Sequence, residues 1–249
     1  ETVEAVEIGY KGLHLDETLQ VFASIYQYDY DGYQDELQQF DPIRGAGANF
    51  VSNADGITNT GFEIELYYAA TDRLTLSGNF SYTETEYGED YFVFTVDDPI
   101  NPVPVFGTFT QGFVSAQVTD PSQASDYTVN LKGGPLKGIP EEKATIRVSY
   151  EQDTRFGPLY YLLSHSYTGD FSASGIQRPL DRIDSRETTN LNISWYSQDG
   201  NLSLRAYVDN LFDNDNYYAL STGDHETNYR KSVTALPPRV MGLDIRYRF

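Results

Sequence analysis

The side chains with the widest chemical reach are few in this sequence and scattered. Of three His residues, His14 stands in a predicted short turn, His165 in a predicted strand and His225 in a loop beside Asp224 and Glu226. Their separation matches no metal-ligand spacing, and a solvated loop accounts for His225 better than a weak cation site does. Cys is absent, which removes disulfides, thiolate metal sites and Cys nucleophiles. Asp29, Asp31, Asp35 and Glu36 are calcium ligands by type, but aromatic residues break the loop pattern that calcium needs. No Gly-x-Ser-x-Gly, phosphate-cradling loop or His-Glu-x-x-His is present. The expectation is therefore no metal, no cofactor and no catalysis.

Arg178, Arg182 and Arg186 form the one basic cluster of an acidic chain. Guanidinium forks at this spacing suit a ligand bearing carboxylates, and they are the candidate ligand-binding residues. Pairing with Asp181, Asp184 and Glu187 beside them is the competing reading. Tyr87, Tyr91, Phe92 and Phe94 either line a ligand vestibule or pack a long loop onto itself.

The composition narrows the setting. There are 37 acidic and 17 basic residues, a net charge of −20, which argues against nucleic acid as a partner. Hydrophobic content is 39%, too low for a multi-span helical membrane protein, and no run of about 18 apolar residues exists. With 21 Tyr and 14 Phe, the chain is too aromatic for a disordered acidic segment. The opening Glu1-Thr-Val-Glu-Ala-Val-Glu has neither the basic nor the apolar region of a signal peptide. It starts at once on an alternating pattern.

That pattern must position everything else. Apolar and polar residues alternate with period two in segment after segment, and helical spacing is almost nowhere. Phe62, Ile64, Leu66 and Tyr68 show it, as do Leu74, Leu76, Phe80 and Tyr82, and Ala144, Ile146, Val148 and Tyr150. Leu191, Ile193 and Trp195 repeat it, then Leu202, Leu204, Ala206 and Val208, and finally Met241, Leu243, Ile245, Tyr247 and Phe249. Weaker strands fit at Val3–Lys11, Leu19–Asp29 and Leu159–Tyr167, for about nine strands in all, each with one apolar and one polar face.

Short connections (Gly12–Thr18, Ala70–Arg73, Gln152–Pro158, Ser197–Asn201) alternate strictly with long ones (Tyr30–Thr60, Glu84–Glu142, Thr168–Arg186, Phe212–Pro238). A transmembrane barrel, with short periplasmic turns and long outer loops, has a reason for this alternation; a soluble sandwich has none. Aromatic residues gather at the predicted strand ends, as in the girdles of such barrels.

The C-terminal part carries a resemblance. Val208-Asp209-Asn210-Leu211-Phe212-Asp213, followed by Tyr217-Tyr218, resembles the "NLFD…Y" motif of TonB-dependent outer-membrane receptors, with a slightly long gap from Asp213 to Tyr217. Pro238 to Phe249 is similar to that family's closing strand, and Gly138-Ile139-Pro140 to a short element leading into an earlier strand. Met241, Leu243, Ile245, Tyr247 and Phe249 resemble the signal read by the barrel assembly machinery. The resemblance implies a barrel of about 22 strands with a plugged lumen. These 249 residues would then be its C-terminal portion, without the signal peptide, the plug and the earlier strands.

The expected fold class is thus all-β: an antiparallel transmembrane β-barrel segment with long outer loops and short periplasmic turns. The resemblance implies a Gram-negative outer-membrane receptor for TonB-dependent active uptake of a scarce nutrient, most commonly an iron-siderophore. Its partners would be outer-membrane lipid, the plug and upstream strands, TonB through the plug, the assembly machinery and a small nutrient ligand. The alternatives are a passive porin-like channel and a soluble secreted β-sandwich binding module. The alternation also predicts that Leu243→Arg harms assembly, while Gly242→Ser and Asp244→Asn are mild.

Overall fold

The computed structural model describes residues 1–41, 46–94, 109–110, 113–114, 128–222 and 230–249. Among these, nine strands form one antiparallel sheet. They are β1 Thr2–His14, β2 Leu19–Asp31, β3 Ile57–Ala69, β4 Leu74–Tyr87, β5 Glu142–Gln152, β6 Leu159–Thr168, β7 Arg186–Tyr196, β8 Leu202–Asp209 and β9 Val240–Tyr247. Every strand pairs with its neighbour in this sequence order, and among the described residues the far edges of β1 and β9 are unpaired. The all-β expectation and all nine strands agree with the structure. A single-turn 3-10 helix, Pro179–Asp181, lies in the loop before β7.

The register turns nine separate alternations into two continuous faces. Ile8 pairs with Ile25 and Ile25 with Phe62; Phe62 pairs with Tyr82. Further along, Val148 pairs with Leu163, Leu163 with Leu191, Leu191 with Val208, and Val208 with Met241. A slip of one residue anywhere would send a strand's apolar set to the wrong side. The apolar face is open to its surroundings: Val6 is 68% exposed, Leu243 63% and Ile245 65%. A sandwich would bury such a face against a second sheet, and among the described residues none covers it.

Several boundaries differ from the sequence reading. β3 begins at Ile57 and β4 runs to Tyr87, well past the apolar alternation. Apart from Ile57 and Tyr87, which pair with each other at the far end, the extra residues are Thr, Asn, Gly and Glu, whose backbone ladder needs no apolar side chain. The first long connection contains its own hairpin, Tyr33–Asp41 with Ala46–Ala54. His14 ends β1 and is not in the turn, because Leu15, Asp16 and Glu17 all take positive φ (51°, 54° and 69°) and compress it. Arg186 is the first residue of β7 and not part of the loop before it.

A Cβ at Gly242 would lie 2.3 Å from the hydroxyl end of the Tyr207 ring, which covers the glycine from the neighbouring strand. Gly242→Ser requires that ring end to swing aside.

Candidate functional site

The long-loop ends of the strands carry the buried core of the described residues. Ile57 and Tyr87, at the outer ends of β3 and β4, project from the polar face and pack with Ala54, Tyr91, Val93, Leu131 and Leu136. Tyr87 and Tyr91 stack with ring centroids 5.5 Å apart, so these two pack the loop onto itself; Phe92 stays exposed. A carboxylate sits inside this apolar cluster. Asp35 is 6% exposed, accepts a hydrogen bond from the Tyr87 hydroxyl at 2.6 Å, and pairs with the Lys137 ammonium at 2.8 Å. Burial above all, and then the hydrogen bond to Asp35, push the Tyr87 hydroxyl far above the usual tyrosine range. Lys137 also donates to the Glu36 carbonyl oxygen, and Gly138 N–H to the Ser172 oxygen at 2.8 Å. Three loops distant in sequence are thereby tied together.

This arrangement splits the acidic set that looked like calcium ligands. Asp29 and Asp31 belong to the apolar phase of β2 at its outer end, whereas Asp35 is consumed by Tyr87 and Lys137. The histidines are equally separate: His14 Nε2 bonds the Tyr10 hydroxyl at 2.7 Å, and His165 Nδ1 the Thr189 hydroxyl at 2.8 Å. His225, Asp224 and Glu226 lie outside the described residues.

The three arginines share one region but have different partners. Arg178 Nε donates to Asp181 Oδ2 at 2.5 Å, and both groups are largely buried. Arg182 pairs at 2.6 Å with Asp170, across a short hairpin, and not with its immediate acidic neighbours. Arg186 stands over the rings of Phe171 and Tyr218, at 5.6 and 5.4 Å.

The polar face holds cations that the sequence reading passed over. Within the nine strands, Lys11, Lys143, Arg147, Arg205 and Arg246 fall in the polar phase, as the candidate Arg186 also does. Their phase was the available signal, since none occurs at an apolar position of its strand. Glu7, Glu63 and Glu65 lie on the same face over β1 to β3. Arg205 donates to the Asn192 carboxamide oxygen at 2.8 and 3.0 Å and faces Asp244 at 3.7 Å. On the opposite face, Met241, Leu243, Ile245 and Tyr247 end the apolar band of β9, and Phe249 follows fully exposed.

The motif after β8 is a locking turn. Asn210 takes φ +50° and is 3% exposed. Its carboxamide nitrogen donates to the carbonyl oxygens of Asn214 and Pro237, and its oxygen accepts the Asn214 N–H at 3.0 Å. Asp213 accepts the Arg239 N–H at 2.8 Å. One loop end is thus clamped to the other, directly above the pairing of β8 with β9.

Comparison with known proteins agrees with this architecture. The family model "TonB dependent receptor-like, beta-barrel" matches residues 1–211. The ferric yersiniabactin uptake receptor FyuA from Yersinia pestis is similar in fold, with TM-score 0.66 and 16% identity, over 99% of this chain and 30% of that one. The siderophore receptor PiuA from Acinetobacter baumannii gives 0.64 and 16%, over 98% and 28%. The ferric citrate transporter FecA gives 0.63 and 16%, over 99% and 31%. The chain therefore spans about a third or less of the length of these structures. No curated protein matches its sequence. The match covers most of the nine-stranded sheet, and the chain belongs to the TonB-dependent receptor β-barrel family.

Proposed function

We propose that this chain is the C-terminal wall of a larger outer-membrane barrel that takes up a scarce nutrient by TonB-dependent transport, most commonly an iron-siderophore. The family is one of receptors and transporters rather than enzymes. The observation that carries the reading is the two-faced sheet. An apolar face open along all nine strands suits lipid, and the opposite polar face suits a wet or plugged lumen. In hydrocarbon every backbone N–H and C=O must be paired, so the open edges of β1 and β9 call for further strands. The plug and the link to TonB would lie elsewhere in the whole protein. Siderophore and ferric citrate receptors among the fold neighbours favour an iron chelate over a passive porin role.

In this reading the long loops face outward, and Arg178, Arg182 and Arg186 stand at the ligand's approach. Arg186 is the strongest of the three, because Arg178 and Arg182 already hold carboxylates. Met241, Leu243, Ile245, Tyr247 and Phe249 serve as the signal for the barrel assembly machinery. Growth of a deletion strain on individual iron sources and on cobalamin tests the function. Loss of growth on one ferric chelate supports it; unimpaired growth on every iron source, with a defect on another nutrient, overturns the iron assignment.

A further inference from the structure

We propose that the outer half of β5, β6 and β7 forms a cationic panel on the lumen-facing side that receives a compact, multiply anionic chelate; the proposal rests on the transport reading above. The register defines the panel. Lys143 pairs with Thr168, and Thr168 with Arg186. The next polar-phase row is Thr145, Ser166 and Thr188, and the row below it is Arg147, Ser164 and Asn190. The panel contains three cations and six neutral hydrogen-bonding side chains, and no carboxylate. Lys143 and Arg147 are four residues apart on one strand, or about 13 Å, and Lys143 and Arg186 are two strands apart, or about 10 Å.

Two features distinguish this panel from ordinary surface charge. None of the ion pairs formed among the described residues involves Lys143 or Arg147, in a chain with a net charge of −20. Other cations of the chain do hold carboxylates, as at Arg73–Asp153, Arg182–Asp170 and Arg178–Asp181, while Lys11 and Arg246 on the polar face form no ion pair among the described residues either. What sets the panel apart is that none of its nine residues is a carboxylate. The polar face is also divided by charge. Glu7, Glu63 and Glu65 lie over β1 to β3, and β4 between them and the panel presents only Ser, Thr and Asn in its polar phase before Tyr87. Lys11 shares the polar face of β1, and Asp209 and Asp244 lie in the polar phase of β8 and β9, so the panel is a carboxylate-free stretch flanked by acidic residues on both sides. The neutral rows supply donors for an anion's remaining oxygens. Asn190 illustrates this: its oxygen accepts the Asn210 N–H at 2.9 Å, and its NH2 remains a donor.

The test uses the full-length receptor in a strain lacking other iron receptors. Uptake of radio-iron is measured from a trianionic ferric tris-catecholate and from a neutral ferric trihydroxamate. The wild type should take up the anionic chelate faster. Lys143→Gln with Arg147→Gln should lower that uptake about tenfold, the scale of electrostatic capture, and change neutral uptake by less than about twofold. Lys143→Arg with Arg147→Lys should restore it, and outer-membrane levels checked by heat-modifiability separate this effect from misfolding. Equal loss of both chelates would mean that the panel seats an acidic surface of the plug, and would overturn the proposal. Unchanged uptake, or a wild type that prefers the neutral chelate, would also overturn it. A wild type that imports neither chelate overturns the panel's assignment, while the transport reading stands or falls on the growth test above.

Discussion

The carboxamide nitrogen of Asn210 donates to the carbonyl oxygen of Pro237 at 3.0 Å, joining the chain as it leaves β8 to the chain as it returns toward β9. The same side chain closes a ring with Asn214, and the backbone at Asn210 is left-handed, a conformation Asn tolerates better than most residues. Asn210→Ala should therefore lose buried hydrogen bonds and gain backbone strain, at a cost of about 1–3 kcal/mol. Asn210→Gly should remove the strain and still destabilise. Urea unfolding of the detergent-solubilised receptor measures both; wild-type stability for Asn210→Gly would mean that only the backbone conformation matters.

Leu243 and Asp244 occupy opposite faces of β9. Leu243→Arg should cut the folded yield in a detergent folding assay, since Arg at mid-depth costs about 2–4 kcal/mol on a lipid face. Asp244→Asn removes one weak contact with Arg205 at 3.7 Å and should fold as the wild type does. Equal yields for the two variants would contradict the face assignment.

Deletion of Phe249 should lower the outer-membrane level of the full-length receptor and leave the ligand affinity of the inserted fraction unchanged. The motive is the apolar phase of Met241, Leu243, Ile245 and Tyr247, which Phe249 continues beyond β9. Quantitative blotting of membrane fractions checks it, and unchanged levels would remove Phe249 from the assembly signal.

Tyr87 should ionise later than exposed tyrosines. Burial, and then its bond to Asp35, favour the neutral phenol, so the folded value lies above the ordinary value of about 10. The contribution of this contact is intact below that ordinary value and is lost as pH rises through the folded one. In an ultraviolet titration of the folded receptor, Tyr87→Phe should leave the curve unchanged, because Tyr87 stays neutral throughout. Loss of one tyrosine's amplitude in the ordinary range would place Tyr87 in solvent.

What was legible follows from what each feature depends on. The nine strands could be read because each alternates on its own, and alternation is local information. β3 and β4 outran their prediction because hydrogen-bond ladders continue through Thr58 and Glu86, where alternation carries no apolar signal. Arg178 did find Asp181, three residues away, but Arg182 found Asp170 across a hairpin that the sequence does not announce. The burial of Asp35 was hidden for the same reason: Tyr87 and Lys137 approach it from distant loops. Lys143 and Arg147 were visible as letters, but their neighbours on β6 and β7 come only from the register.

The central claim is that the two faces of this sheet meet lipid and lumen. The chain has no Cys, so single substitutions add unique labels to it. The most direct measurement places Cys in turn at Leu191, Asn192, Ile193 and Ser194 of β7 in the membrane-embedded receptor, and follows an attached fluorophore with a lipid-borne quencher. The account predicts strong quenching at 191 and 193 and weak quenching at 192 and 194. Uniform quenching across the four positions, or the opposite alternation, would contradict it.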